Sequence, residues 1–154
     1  MTASPFKINL FLLSKLPAAF MCGIRVMEFD SNRARALVNT RWINKNPFGS
    51  LYFAVQAMAA ELSTGILVMY AIRRSGHRVS MLVTHLEGEY HKKATGRIVF
   101  ACKDGLAIAD AVLRAVAGES VQIIATSTGR NALNEAVSTH RITWSLKLKQ
   151  PLKS

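Results

Sequence analysis

Cysteine is nearly absent from this chain, with two among 154 residues, Cys22 and Cys102. So small a number excludes a disulfide-dense scaffold, and the lack of CxxC spacing excludes a paired-thiol zinc framework. Both are expected to be buried, reduced and structural, because free cysteine packs as a small hydrophobe. The four histidines, His77, His85, His91 and His140, share no metal-ligand spacing, so no metal site is expected. Acidic residues are also few, 9 against 20 lysines and arginines, which leaves a formal net charge of +11. Such a balance favours an anionic partner: a nucleotide, a CoA tail, nucleic acid or an acidic surface. The cations, Arg33, Arg35, Arg73, Arg74, Arg78, Lys92, Lys93, Lys147 and Lys149 among them, are dispersed rather than gathered into a tract. No nucleic-acid motif accompanies them, so binding to nucleic acid is not expected. Charge is sparse overall at 19%, and half the residues are apolar, which excludes a disordered chain. An export signal is missing too: Lys7 precedes an apolar run, Ile8–Leu13, that is short and broken by Asn9. Together with the unpaired cysteines, this points to the cytoplasm.

What remains is a chain sized for one packed domain, read as a short N-terminal helix over 5–20 and a core over 21–150. Phe6, Leu10, Leu13 and Leu16 recur at roughly helical spacing, and Pro17 is expected to close that helix. Two strands follow, from Ile24 to Phe29 and from Arg33 to Thr40, joined by the turn residues Asp30, Ser31 and Asn32. A loop over Asn44–Ser50 leads into the longest apolar stretch, Leu51–Ile72. It is long enough to span a membrane, but Gln56, Glu61, Ser63, Thr64 and Gly65 interrupt it. A carboxylate near the centre of a spanning helix costs about 2.5–3.5 kcal/mol. A helix apolar on nearly every side also suits a helix enclosed by a sheet. The rest of the chain supplies β-rich segments at Met81–Tyr90, Gly96–Lys103, Val121–Thr128 and His140–Lys149. In the last, Ile142, Trp144, Leu146 and Leu148 alternate with polar residues, giving one buried face. Leu106–Ala117 reads as a helix stopped by Gly118, and 129–139 as a loop with room for a helical turn.

The order helix, two strands, long helix, four strands with a helix inserted resembles the hotdog fold, an α+β architecture in which a curved antiparallel sheet wraps a long central helix. The segment Asn46-Pro-Phe-Gly-Ser50, opening Leu51-Tyr-Phe-Ala-Val-Gln-Ala-Met-Ala-Ala-Glu-Leu-Ser-Thr-Gly65, carries the likeness, with Glu89-Tyr-His-Lys-Lys-Ala-Thr-Gly96 as a second piece. The chain is similar to the hotdog families of DUF4442 type, related to the phenylacetate-pathway acyl-CoA thioesterases. That resemblance implies thioester hydrolysis, with acyl-CoA or an acyl-carrier thioester as ligand. No cofactor is implied, since CoA enters only as part of the substrate. It also implies a site between two subunits, in a homodimer or a dimer of dimers, and no membrane span. A fatty-acyl or acyl-thioester binding protein without catalysis is the alternative.

Thioester hydrolysis needs a group that polarises the carbonyl and a carboxylate that activates water or attacks directly. The resemblance implies an oxyanion hole at Gly49, where the helix start would offer backbone N–H groups. Equally, Ser50 could cap the helix while Gly49 permits the turn. On an ideal helix Ser50, Ala54, Ala57 and Glu61 share one face, with small residues leaving room for an acyl chain, a neighbouring subunit or close packing. Glu61 is the lone acid there and reads either as base or nucleophile, or as a structural hydrogen-bonding group. Asn46 reads either as an orienting amide or as turn chemistry before Pro47. The family often carries His-Gly-Gly at the helix start and an acid further along. Here Phe48 stands in the histidine place, Ala57 is nearest the expected acid place, and Glu61 lies a turn later. Arg73 and Arg74 could meet CoA phosphates, and His85, Glu87 and Glu89 read as solvent-facing polar residues on a strand.

Overall fold

The computed structural model describes residues 4–149. Its N-terminal segment is two helices, α1 (Pro5–Lys15) and α2 (Pro17–Met21), rather than one. Pro17 closes the first helix, as expected, and also opens the second, because proline forces the preceding residue out of helical geometry and is itself suited to a first helical position. Leu16 accordingly sits at φ −133°, between them.

Strands β1 (Arg25–Phe29) and β2 (Ala34–Asn39) form the expected hairpin. Its turn is held by the Asp30 carboxylate, which accepts the N–H groups of Asn32 and Arg33 at 2.7 and 3.0 Å. A 3₁₀ turn at Trp42–Asn44 follows. The long helix α3 (Phe53–Ser75) starts two residues later than the sequence suggested and ends at Gly76, whose left-handed φ of 71° stops it. Next come β3 (Val79–Tyr90), β4 (Arg97–Cys102), α4 (Gly105–Val116), β5 (Val121–Arg130) and β6 (Ala136–Leu148). The loop expected over 129–139 is a tight turn with strand on both sides. Asn131 gathers that turn, its side-chain oxygen accepting Leu133 and Glu135 N–H at 3.0 and 2.9 Å.

All six strands join one antiparallel sheet in the order β1-β2-β4-β5-β6-β3. Register shifts in β1, β3 and β5 bend it, as bulges do, and it curves round α3 as a hotdog sheet. Among the described residues this helix is the one segment apolar and long enough to cross a membrane, at mean hydropathy 1.4, yet most of that stretch is buried in the protein. Leu62, Ile66, Leu67 and Val68 are buried, each worth about 1.5–3 kcal/mol of apolar burial. Two polar knots fix the helix to the sheet. Ser63 and Ser127 hydroxyls meet at 2.7 Å, and the Trp144 indole N–H donates to the Thr64 hydroxyl at 2.9 Å. Of the two cysteines, both free, Cys102 is buried as expected and Cys22 is only half-buried. Burial pushes the Cys102 thiol up to about 12, leaving it inert.

Candidate functional site

Glu61 sits in the middle of α3, half-buried, and its carboxylate has no hydrogen-bond or ion-pair partner among the described residues. Burial raises its pKa above the usual carboxylate range. A cavity of about 310 Å³ opens beside it. Along the helix its wall is Glu61, Leu62, Gly65, Ile66, Met69 and Tyr70, and Ile8, Phe11, Leu12 and Leu16 of the N-terminal segment face them. Gly65 makes the space: a Cβ there would stand 3.3 Å from Glu61 Oε1 and 3.2 Å from the Trp144 ring. Phe29 stacks edge-on against Tyr70 with centroids 5.8 Å apart, which stiffens one side. The N-terminal segment is held over the cavity by Asn9, which exchanges two hydrogen bonds with the backbone of Val26 at 2.9 and 3.1 Å. Glu61 is the one carboxylate lining the chamber, and Lys7 and Arg73, both exposed, are its cations.

In the loop before α3, Asn46 and Gly49 take the turn roles, one of the two alternatives for each, while Ser50 does not cap the helix. Asn46 folds onto its own loop: its side-chain oxygen accepts the N–H groups of Phe48 and Ser50 at 3.0 and 3.1 Å, and its amide donates to the Ser50 hydroxyl at 3.0 Å. The Gly49 N–H donates to the Asn46 carbonyl at 3.0 Å, so in this conformation it is engaged within the turn. Gly49 adopts φ 80°, a left-handed value that suits glycine. Ser50 is buried and stands outside the helix, so it does not share a helical face with Ala54, Ala57 and Glu61. Tyr52 occupies the N-cap and gives no side-chain cap bond. Among the described residues the N–H groups of Phe53 and Ala54 have no acceptor, as expected in a first helical turn. Glu61 lies about 12 Å further along the axis, at 1.5 Å per residue.

Within one protomer, therefore, Asn46, Phe48, Gly49 and Ser50 cluster at the helix start, while Glu61 and Arg73 line the chamber further along. Phe48 is 78% exposed. Ala54 and Ala57 are half-buried on the outer side of α3 and do not line the cavity. Arg74 instead lies over the Tyr70 ring, 5.8 Å from its centroid. Glu87 and Glu89 pair with Arg141 on the sheet surface, as solvent-facing residues do. The sequence reading missed Gly65, Tyr70 and the contribution of α1. Gly65 carried a signal, since a glycine inside a long helix costs stability and invites a packing reason.

Sequence reasoning also passed over His140. It is fully buried, its Nε2 lies 3.1 Å from the Tyr90 hydroxyl, and its Nδ1 has no partner. Burial lowers its pKa to about 4, so the ring is neutral at pH 7.

Comparison with known proteins places the fold. A Pseudomonas aeruginosa structure described as a protein of unknown function and probable thioesterase superposes with TM-score 0.81 at 17% identity, covering 96% of this chain and 99% of that one. A thioesterase from Haemophilus influenzae gives TM-score 0.74 at 13% identity, covering 100% and 97%. A mutant thioesterase from Pseudomonas aeruginosa gives 0.73 at 13%, covering 97% of each chain. No curated protein matches the chain. The family model described as Domain of unknown function (DUF4442) matches residues 7–146. The chain therefore belongs to the DUF4442 family.

Proposed function

We propose that the protein hydrolyses an acyl thioester, carried by CoA or a carrier protein, with Glu61 as the reacting carboxylate. One observation carries the reading: an unpaired, half-buried carboxylate faces an apolar chamber that has room for an acyl chain. A raised pKa makes Glu61 a better base than an exposed carboxylate, provided it is ionised when substrate binds. In the simplest course Glu61 takes a proton from water, the oxygen adds to the thioester carbonyl, and collapse breaks the C–S bond. The proton then passes to the departing thiolate. The free N–H groups of Phe53 and Ala54 are suited to the carbonyl oxygen, but within one protomer they are too far from Glu61 to serve the same carbonyl.

A two-fold dimer supplies a remedy, because a partner's helix start can approach Glu61. Strand β3 supports dimerisation. It is twelve residues long, pairs on one side only, and exposes Leu82, Leu86 and Tyr90; such an edge invites a second copy. Superposition on structures described as thioesterases agrees with this reading, and the protein is then a cytoplasmic homodimer.

A second reading, an acyl-thioester binder without turnover, is favoured by the engaged Gly49 N–H and Asn46 amide. A panel of acyl-CoAs, assayed for free thiol with wild type and Glu61→Ala, separates them. Hydrolysis by wild type that falls about 10²-fold or more in the variant supports the enzyme. Equal rates would remove Glu61 from the mechanism, and tight retention without turnover would establish the binder.

A further inference from the structure

A second concavity lies away from Glu61. It lies on the opposite face of the sheet, encloses about 500 Å³, and is lined by Arg33, Arg35, Lys103 and Arg130 around Val99, Ala101, Asn131 and Asn134. Strand register explains how residues remote in sequence meet there. Ala34 pairs with Cys102, which brings Arg33 beside Lys103; Arg35 pairs with Ala101, and Val99 with Arg130. Alternation turns Ala34, Ala36, Phe100 and Cys102 into the core and leaves Arg35, Val99 and Ala101 on the outer side.

Four cations converge on this trough, and among the described residues no carboxylate lines it. Glu28 lies 3.2 Å from Arg35 and 3.6 Å from Arg33, and Asp30 lies 3.7 Å from Arg33, so that side is largely compensated. Lys103 and Arg130 have no carboxylate within ion-pair distance among the described residues. Arg130 is aimed by its own turn, since it donates to the Asn134 carbonyl at 2.8 Å. Two uncompensated positive charges match the ≈ −1.5 to −2 charge of a phosphate monoester. Guanidinium forks hold phosphate oxygens in pairs, and a floor of valine and alanine offers a flat apolar bed for a planar ring.

We propose that this trough is a binding site for a nucleotide-type phosphate anion, with the phosphates between Lys103, Arg130 and Arg35 and the ring over Val99 and Ala101. The site is independent of the Glu61 reading. Its occupant is either a free nucleotide or the nucleotide end of a larger carrier.

The test is titration of the whole protein by calorimetry and by backbone amide NMR with pyrophosphate, ADP, adenosine 3′,5′-bisphosphate and CoA at low and high salt. Binding is expected with the largest shifts at Val99, Ala101, Lys103 and Asn131, weakening as salt rises. Lys103 is exposed and makes no side-chain hydrogen bond or ion pair among the described residues, so Lys103→Glu should keep its melting temperature and lose about tenfold in affinity. Arg35→Gln should weaken binding less, because Glu28 already shares that charge. Comparable affinity for ADP and the bisphosphate identifies free nucleotides as the source, and preference for the bisphosphate and CoA identifies the carrier. Lack of binding by all four probes at low salt, or affinity unchanged in Lys103→Glu, overturns the proposal. The acyl-CoA hydrolysis assay of Glu61→Ala leaves this outcome untouched, so the two readings fail separately.

Discussion

His140 gives the protein a built-in sensitivity to mild acid. Its ring lies between Tyr90 and Phe100, with centroids 5.3 and 6.1 Å away, and is walled by the bare backbone of Gly88, where a Cβ would stand 2.9 Å from the ring. Of its neighbours, the Tyr90 hydroxyl is the polar group that meets a ring nitrogen. The unfolded chain takes up a proton near pH 6.5, but the folded ring resists until about pH 4. The unfolded state therefore binds more protons over that interval, and stability falls as the pH drops through it. At about 1.4 kcal/mol per pH unit the loss approaches 2 kcal/mol by pH 5 and roughly 3 kcal/mol by pH 4. Against a typical domain stability of about 5–15 kcal/mol, such a loss is readily measured. Glu61 acts in the opposite sense. Its raised pKa means that the folded state takes up a proton first, so stability lost above that value returns as the pH falls. The measurement must therefore be a difference. Urea unfolding of wild type and His140→Gln, followed from pH 7.5 to 4.5, should show the wild type losing about 2 kcal/mol more than the variant between pH 7 and pH 5. Parallel curves, or a folded-state imidazole titrating near 6.5 by NMR, would refute the argument.

Three further outcomes follow from the same geometry. Glu61→Gln removes an unpaired, half-buried charge and should raise the melting temperature at pH 8 while reducing thioester hydrolysis by about 10²–10⁴-fold, the usual reach of a general base; calorimetry and the thiol assay check the two halves. Gly65→Ala should gain about 0.5–1 kcal/mol of helix propensity and lose a similar amount against Trp144, which Thr64 pins. Its melting point should therefore change little, while long-chain acyl thioesters show a raised KM against short-chain controls. If the proposed dimer forms through the β3 edge, Leu82→Lys with Leu86→Lys places like charges along it and should leave a monomer by light scattering where wild type is a dimer, with unchanged circular dichroism.

The amino-acid pattern already carries the architecture, because its signals are local and repeated. A long apolar stretch interrupted by polar residues reads as an enclosed helix, and the alternation from Ile142 to Leu148 reads as a strand with one buried face. The structure places both as such. It also marked Glu61, since one carboxylate on an apolar helix has few places to go. The second helix after Pro17 was missed because a proline that stops one helix can also start another, and the first part of β6 was missed because Ala136–Thr139 carry little periodicity.

What surrounds each candidate emerges only when distant segments pack together. Asn46 and Gly49 could have faced a ligand, but short-range folding spends their polar groups inside the loop. The chamber beside Glu61 depends on α1, forty or more positions away, coming over Gly65. The basic trough depends on register across three strands. Helix and strand propensity act over a few residues, whereas a cavity or a charge cluster is made by segments that meet only after the chain has folded.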